Sequence, residues 1–109
     1  MSYIYNITFV CSPDKESEML SYIRGELLEN LFNAESPARS PELRKVIEAG
    51  GEVPGEDHGV SLALSAEFES EELAHLWNDH ILLPSLGDFH KKMGQQALFF
   101  VTLLEQLAV

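Results

Sequence analysis

A four-stranded antiparallel sheet carrying two helices on one face, in the order strand, helix, strand, strand, helix, strand, is predicted by three observations. Tyr3 to Val10 and Val60 to Phe68 alternate residue by residue in the manner of strands, and Ala97 to Leu104 is a nearly continuous apolar run that fits another strand. Two intervening stretches, one beginning near Asp14 and one near Ser70, instead repeat apolar residues at helical spacing. A chain of 109 residues with 45% hydrophobic side chains is the size of one α+β domain, 1–109, able to offset its ordering entropy with one core.

In the first strand Tyr3, Tyr5, Ile7 and Phe9 face one way and Ile4, Asn6, Thr8 and Val10 the other. Ser12-Pro13-Asp14 is turn chemistry, with Ser12 or Asp14 placed to cap a helix whose first turn holds Glu16 and Glu18. Met19, Leu20, Ile23, Leu27 and Leu31 fall within about 120° of a helical wheel, the width of a core-facing stripe, and the first helix should run to about Phe32. Asn33 to Pro41, with Ser36-Pro37 inside it, reads as a connector. Leu43 to Ile47 fits an edge strand or a short helix, and the strand is preferred as strand two. Gly50 to Gly59 holds four glycines and a proline, which suits the tip of a long hairpin.

Strand three, Val60 to Phe68, has the cleanest alternation in the chain. Ser70 is placed as the N-cap of a second helix, with Glu71 and Glu72 where the helix dipole favours acids. Its inner face is read as Leu73, Leu76, Trp77, His80 and Ile81, and its end as near Pro84. Gly87 to Gly94 reads as a short polar stretch. In the last strand Phe99, Val101 and Leu103 alternate with Leu98, Phe100 and Leu104, so both faces are apolar. The element order is that of the split βαβ, or ferredoxin-like, arrangement.

Composition limits the partners. Eighteen acidic against seven basic side chains give a formal net charge of −11, which repels a phosphate backbone and an anionic membrane alike. No apolar run approaches the roughly 20 residues that span a bilayer, and the opening MSYIYNITFV lacks the basic start of a secretory signal. Cys11 is the only cysteine, so an internal disulfide is excluded and the cytoplasm is the expected compartment.

A sheet with both helices on one face leaves the other face bare. Ala63, Leu98, Phe100 and Leu104 belong to that face, and together they form a patch larger than monomers usually expose. A second copy related by a two-fold axis is the expected cover, with an interface above about 1,200 Å². The competing cover is the C-terminal tail or the long hairpin folded back over the sheet.

The opening YIYNITF, the segment VSLALSAEF followed by a helix with a central Trp77, and the closing ALFFVTLLEQL together resemble an uncharacterised bacterial family, domain-of-unknown-function family 4286. The resemblance covers nearly the whole chain, fits least well from Ser36 to Asp57, and rests on strand and helix texture. It implies membership of the ferredoxin-like, dimeric α+β barrel group. That wider group includes cofactor-less oxygenases, isomerases and haem proteins, so the resemblance also implies a small-molecule cleft between sheet and helices.

Three residues are singled out for such a cleft: Trp77, His80 and Tyr5. A histidine on an apolar stripe can serve as acid, base or axial ligand, or be a core-edge histidine satisfied by one hydrogen bond. His75 and His80 lie about 140° apart around a helix and cannot share a metal. His75 and Asp79, one turn apart, make a poor two-ligand site. His58 and His90 fall in expected loops beside Glu56-Asp57 and Asp88. Cys11 is read as an inert half-buried thiol unless a histidine activates it. Tyr3, Tyr5, Phe99 and Phe100 are core aromatics or pocket lining.

No metal motif, phosphate-binding loop or cofactor signature is present, and none is expected to be bound. Two functions therefore compete, ahead of a third in which one histidine holds a haem or a metal. One is a non-catalytic homodimeric domain binding a small ligand or a protein partner. The other is a cofactor-less oxygenase or isomerase with His80 beside Trp77.

Overall fold

The computed structural model describes residues 2–47 and 59–109. Four strands, β1 (Tyr3–Cys11), β2 (Arg39–Lys45), β3 (Val60–Phe68) and β4 (Ala97–Glu105), form one antiparallel sheet in the order β2-β3-β1-β4. β1 and β3 pair without interruption from Tyr3 opposite Phe68 to Cys11 opposite Val60, and β1 pairs equally cleanly with β4. Alternation decides the layers. Tyr5, Ile7, Phe9 and Cys11 of β1 and Leu62, Leu64, Ala66 and Phe68 of β3 are buried under the helices, as period-2 sterics require.

The first helix consists of Glu16–Tyr22, a π-helical turn Ile23–Leu27 and Leu28–Leu31. Its inward stripe is the expected one, with Met19, Ile23, Leu27 and Leu31 all buried. Its entrance differs from expectation. The Ser12 hydroxyl donates to the Asp14 carboxylate at 2.5 Å instead of capping the helix, and a single 3₁₀ turn, Pro13–Lys15, leads in. That hydrogen bond is also the main reason the Asp14 carboxyl titrates below its ordinary value.

The second helix consists of Glu71–Trp77, a π-helical turn Asn78–Leu82 and Leu83–Met93. Ser70 caps it as predicted, its hydroxyl accepting from the Leu73 amide at 3.2 Å. The helix does not stop near Pro84. In the π turn the Leu83 amide reaches back five residues to the Asn78 carbonyl. This widened turn accommodates a proline, which has no amide to place and whose ring crowds the preceding turn of an ordinary helix. The stretch from Gly87 is thus helix rather than connector, and it buries Leu86, Phe89 and Met93. Lys91 and Lys92 lie in the last turn, where cations complement the dipole.

Gly94 ends the helix at φ 61° and ψ −141°, a conformation that a Cβ disfavours. Gly94→Ala should cost about 1–3 kcal/mol, read as a lower midpoint in urea unfolding with an unchanged slope.

Strand two begins earlier than the expected Leu43 and ends at Lys45. A bulge between Arg39 and Glu42, with Ser40 at φ 52°, breaks its register against β3. Seven mostly exposed residues carry no burial period, which is why the segment reads weakly. The expected hairpin tip falls almost wholly on residues outside the described ones, as does His58.

Candidate functional site

Two places in this fold bear on function: the aromatic cluster beneath the second helix and the helix-free face of the sheet. The cluster is built where Tyr5 of β1 and Phe68 of β3 meet Trp77. Ring centroids lie 5.8 Å apart for Tyr5 and Trp77, 5.0 Å for Phe68 and Trp77, and 6.2 Å for Phe32 and Trp77. The Trp77 indole N–H donates to the Leu31 carbonyl at 3.0 Å, satisfying a group the end of the first helix would otherwise leave open. Side chains fill this space, with Trp77 and Phe68 both fully buried.

His80 does not join them. It is exposed, and so is Leu76, which corrects the expected inner face. Ala74 and Trp77 set the inward direction, and the stripe continues through Ile81 and Leu82 to Ser85, Leu86 and Phe89. A small alanine is what the sheet admits closely, whereas side-chain size alone points to Leu73 and Leu76. The π turn then shifts the phase of every later residue. His75 pairs with Glu71 at 3.1 Å, one turn back, rather than with Asp79. His90 is exposed near the end of the same helix. Among the described residues no group of three His, Cys, Asp or Glu side chains is placed to hold a metal ion.

The Cys11 thiol is buried, and burial, then Glu16 and Asp14, raise its pKa. Tyr5 is raised by burial and then by Asp79 and Glu71, and Tyr22 by burial and then by Glu26 and Asp88. All three groups hold their protons more tightly folded than unfolded. Their contribution to stability is complete below the ordinary values of about 8.5 for a thiol and about 10 for a phenol, and is lost as pH rises through the higher folded values. Urea unfolding at pH 7.5, 9 and 10.5 should therefore show falling stability in the alkaline steps. Unchanged midpoints would contradict this.

The helix-free face is set out by register. One row crosses Phe100, Thr8, Ala63 and Arg44; the next crosses Thr102, Asn6, Ser65 and Glu42. Leu98 lies beside Val10 and Leu104 beside Ile4, so apolar residues gather over β4 and β1. All four residues expected on this face are there. Leu98 and Phe100 are each 59% exposed and Leu104 46%. The aromatic group expected from sequence is divided by the sheet, since Phe99 packs on Phe89 at 6.2 Å while Phe100 points to the other side. The tail does not cover the face, for the Gln106 amide continues the ladder to the Ser2 carbonyl and Leu107 is exposed.

The strand order and helix placement define an α+β protein of the ferredoxin-like class. The chain belongs to the family described as domain of unknown function DUF4286, which matches over residues 2–107. The fold is shared with solved structures of low sequence identity. Rv0793 from Mycobacterium tuberculosis superposes with a TM-score of 0.66 at 17% identity, covering 100% of this chain and 98% of that one. A dabb family protein with a ferredoxin-like fold from Mesorhizobium loti gives 0.58 at 16% identity, covering 99% and 100%. A putative antibiotic biosynthesis monooxygenase from Bordetella bronchiseptica gives 0.62 at 12% identity, covering 99% and 100%. No curated protein matches the sequence. Among the described residues no helix is long and apolar enough to cross a membrane.

Proposed function

We propose that the chain is a non-catalytic, cytoplasmic homodimeric domain that packs a second copy of itself on the helix-free face of its sheet and binds a small ligand or protein partner. The exposure of Leu98, Phe100 and Leu104 on the helix-free side of β4 is the observation that carries this reading. Leaving such a patch in water is costly at about 25 cal/mol per Å², and a two-fold partner removes it from solvent with no other component. The surplus of acidic side chains supports a partner other than nucleic acid or an anionic membrane. The single buried thiol accords with a reducing compartment. In this reading Tyr5 and Trp77 serve packing, and His80 is the one of the three open to a ligand.

The oxygenase or isomerase reading draws support from structural neighbours named as monooxygenases, such as one from Shewanella loihica. It needs space beside Trp77 where the rings of Tyr5, Phe32 and Phe68 now lie. Native mass spectrometry of the purified protein separates the readings. A ligand-free mass of two copies joined through the face, or of four where a further contact joins such pairs, is expected. A dimer retaining a small molecule would favour the cleft reading, and a monomer would overturn the covered face.

A further inference from the structure

The two edges of the sheet are built differently. β2 carries Pro41, a bulge between Arg39 and Glu42, and charged side chains at Arg39, Glu42, Arg44 and Lys45. These are devices that keep an edge from pairing. β4 has none of them. It holds unbroken register over nine residues, contains neither proline nor glycine, and bears its one charge at its last residue, Glu105.

Its outward backbone groups follow from one hydrogen bond. The Gln106 amide donates to the Ser2 carbonyl at 2.8 Å, and Gln106 lies in the same register as the rest of the strand. Because an antiparallel strand turns alternate residues to alternate neighbours, Leu98, Phe100, Thr102 and Leu104 bond to β1. Phe99, Val101, Leu103 and Glu105 therefore direct their backbone groups away from the sheet.

We propose that β4 pairs edge to edge, antiparallel, with β4 of a second copy about a two-fold axis at Val101. Of the possible registers, this one overlaps the whole strand, Ala97–Glu105. It sets Val101 opposite its own counterpart and Phe99 opposite Leu103 on one face, with Leu98 opposite Leu104 and Phe100 opposite Thr102 on the other. Apolar cross-strand pairs of this kind are the unit of sheet stabilisation. Charge leaves this strand as a place where a second copy can approach. In a chain of net charge −11, two copies repel across most of their surface, but Ala97 to Leu104 is uncharged and Glu105 falls opposite Ala97 rather than another Glu105. This contact is separate from the face contact, which uses the even-numbered side chains of β4, whereas the edge contact uses the odd-numbered backbone groups.

Residue-resolved amide hydrogen exchange on the full chain tests it. Paired, the Phe99, Val101 and Leu103 amides exchange at least about tenfold more slowly than a free edge allows, approaching Leu98, Phe100 and Thr102. Val101→Pro removes an outward amide and leaves the ladder to β1 intact, as proline on an edge strand permits. Exchange at Phe99 and Leu103 should then accelerate while Phe100 and Thr102 stay protected. Ala63→Glu, two strands away, opposes the face contact alone and should leave the three edge amides protected. Rapid exchange at Phe99, Val101 and Leu103 in the unaltered protein, with Phe100 and Thr102 protected, would overturn the pairing, as would its loss in Ala63→Glu.

Discussion

Trp77→Ala is expected to lower stability by about 3–5 kcal/mol, a large share of the 5–15 kcal/mol that holds a domain together. Three losses combine. The indole is fully buried, so its removal leaves a void among Tyr5, Phe32 and Phe68. The ring pairs themselves contribute beyond their area. The Leu31 carbonyl then loses the donor that reaches it at 3.0 Å, and an unsatisfied buried acceptor costs a further 1–3 kcal/mol in round terms, about the usual range. Trp77→Phe separates these, since it keeps most of the ring and removes the N–H. Its cost should be clearly smaller than that of alanine. Far-UV circular dichroism is the readout for both, because Trp77 is the only tryptophan and its fluorescence disappears with it. A loss below about 1 kcal/mol for alanine would mean that the cluster is not packed as described.

Phe100→Glu is expected to break the face contact and halve the mass of the assembly while leaving the fold intact. At 59% exposure the side chain contributes little to the monomer core, so circular dichroism and the urea slope should be unchanged. In the dimer the same position would bury a carboxylate without a partner, and two-fold symmetry would place two such charges on one interface. A penalty of about 3–5 kcal/mol weakens association by roughly one hundredfold to a few thousandfold. Light scattering after gel filtration should report half the mass at micromolar concentration. A mass equal to that of the unaltered protein would exclude this face as the contact.

Periodicity made β1 and β3 legible because each has one buried face, and alternation there is a direct record of which side chains leave water; β4 is legible instead as a nearly continuous apolar run, of which only Ala97 is buried. The same pattern placed Ala63, Leu98, Phe100 and Leu104 on the free face. Legibility failed where burial leaves no period. β2 is exposed almost throughout, and its bulge at Arg39 and Ser40 arises from backbone geometry that residue type does not disclose. It failed again along the second helix, where Pro84 reads as a stop but lies just after a π turn that accepts it. Beyond Pro84, Leu86, Phe89 and Met93 keep helical spacing, a signal that Gly87 and Asp88 obscured. His80 reads as inward because Leu76 outweighs Ala74 in apolar size, although Ala74 is the residue that faces the sheet. The Trp77 to Leu31 hydrogen bond joins residues 46 apart and has no local signature.

The bulged, charged β2 edge also sets how many copies can join in one sheet. A particle with two adhesive edges adds neighbours without limit, as strands do in a fibril. On the proposed edge pairing, this chain, with a bulge between Arg39 and Glu42 and charges along β2, offers a single valence in the plane of its sheet. Joining at β4 uses that valence, so the lateral count stops at two.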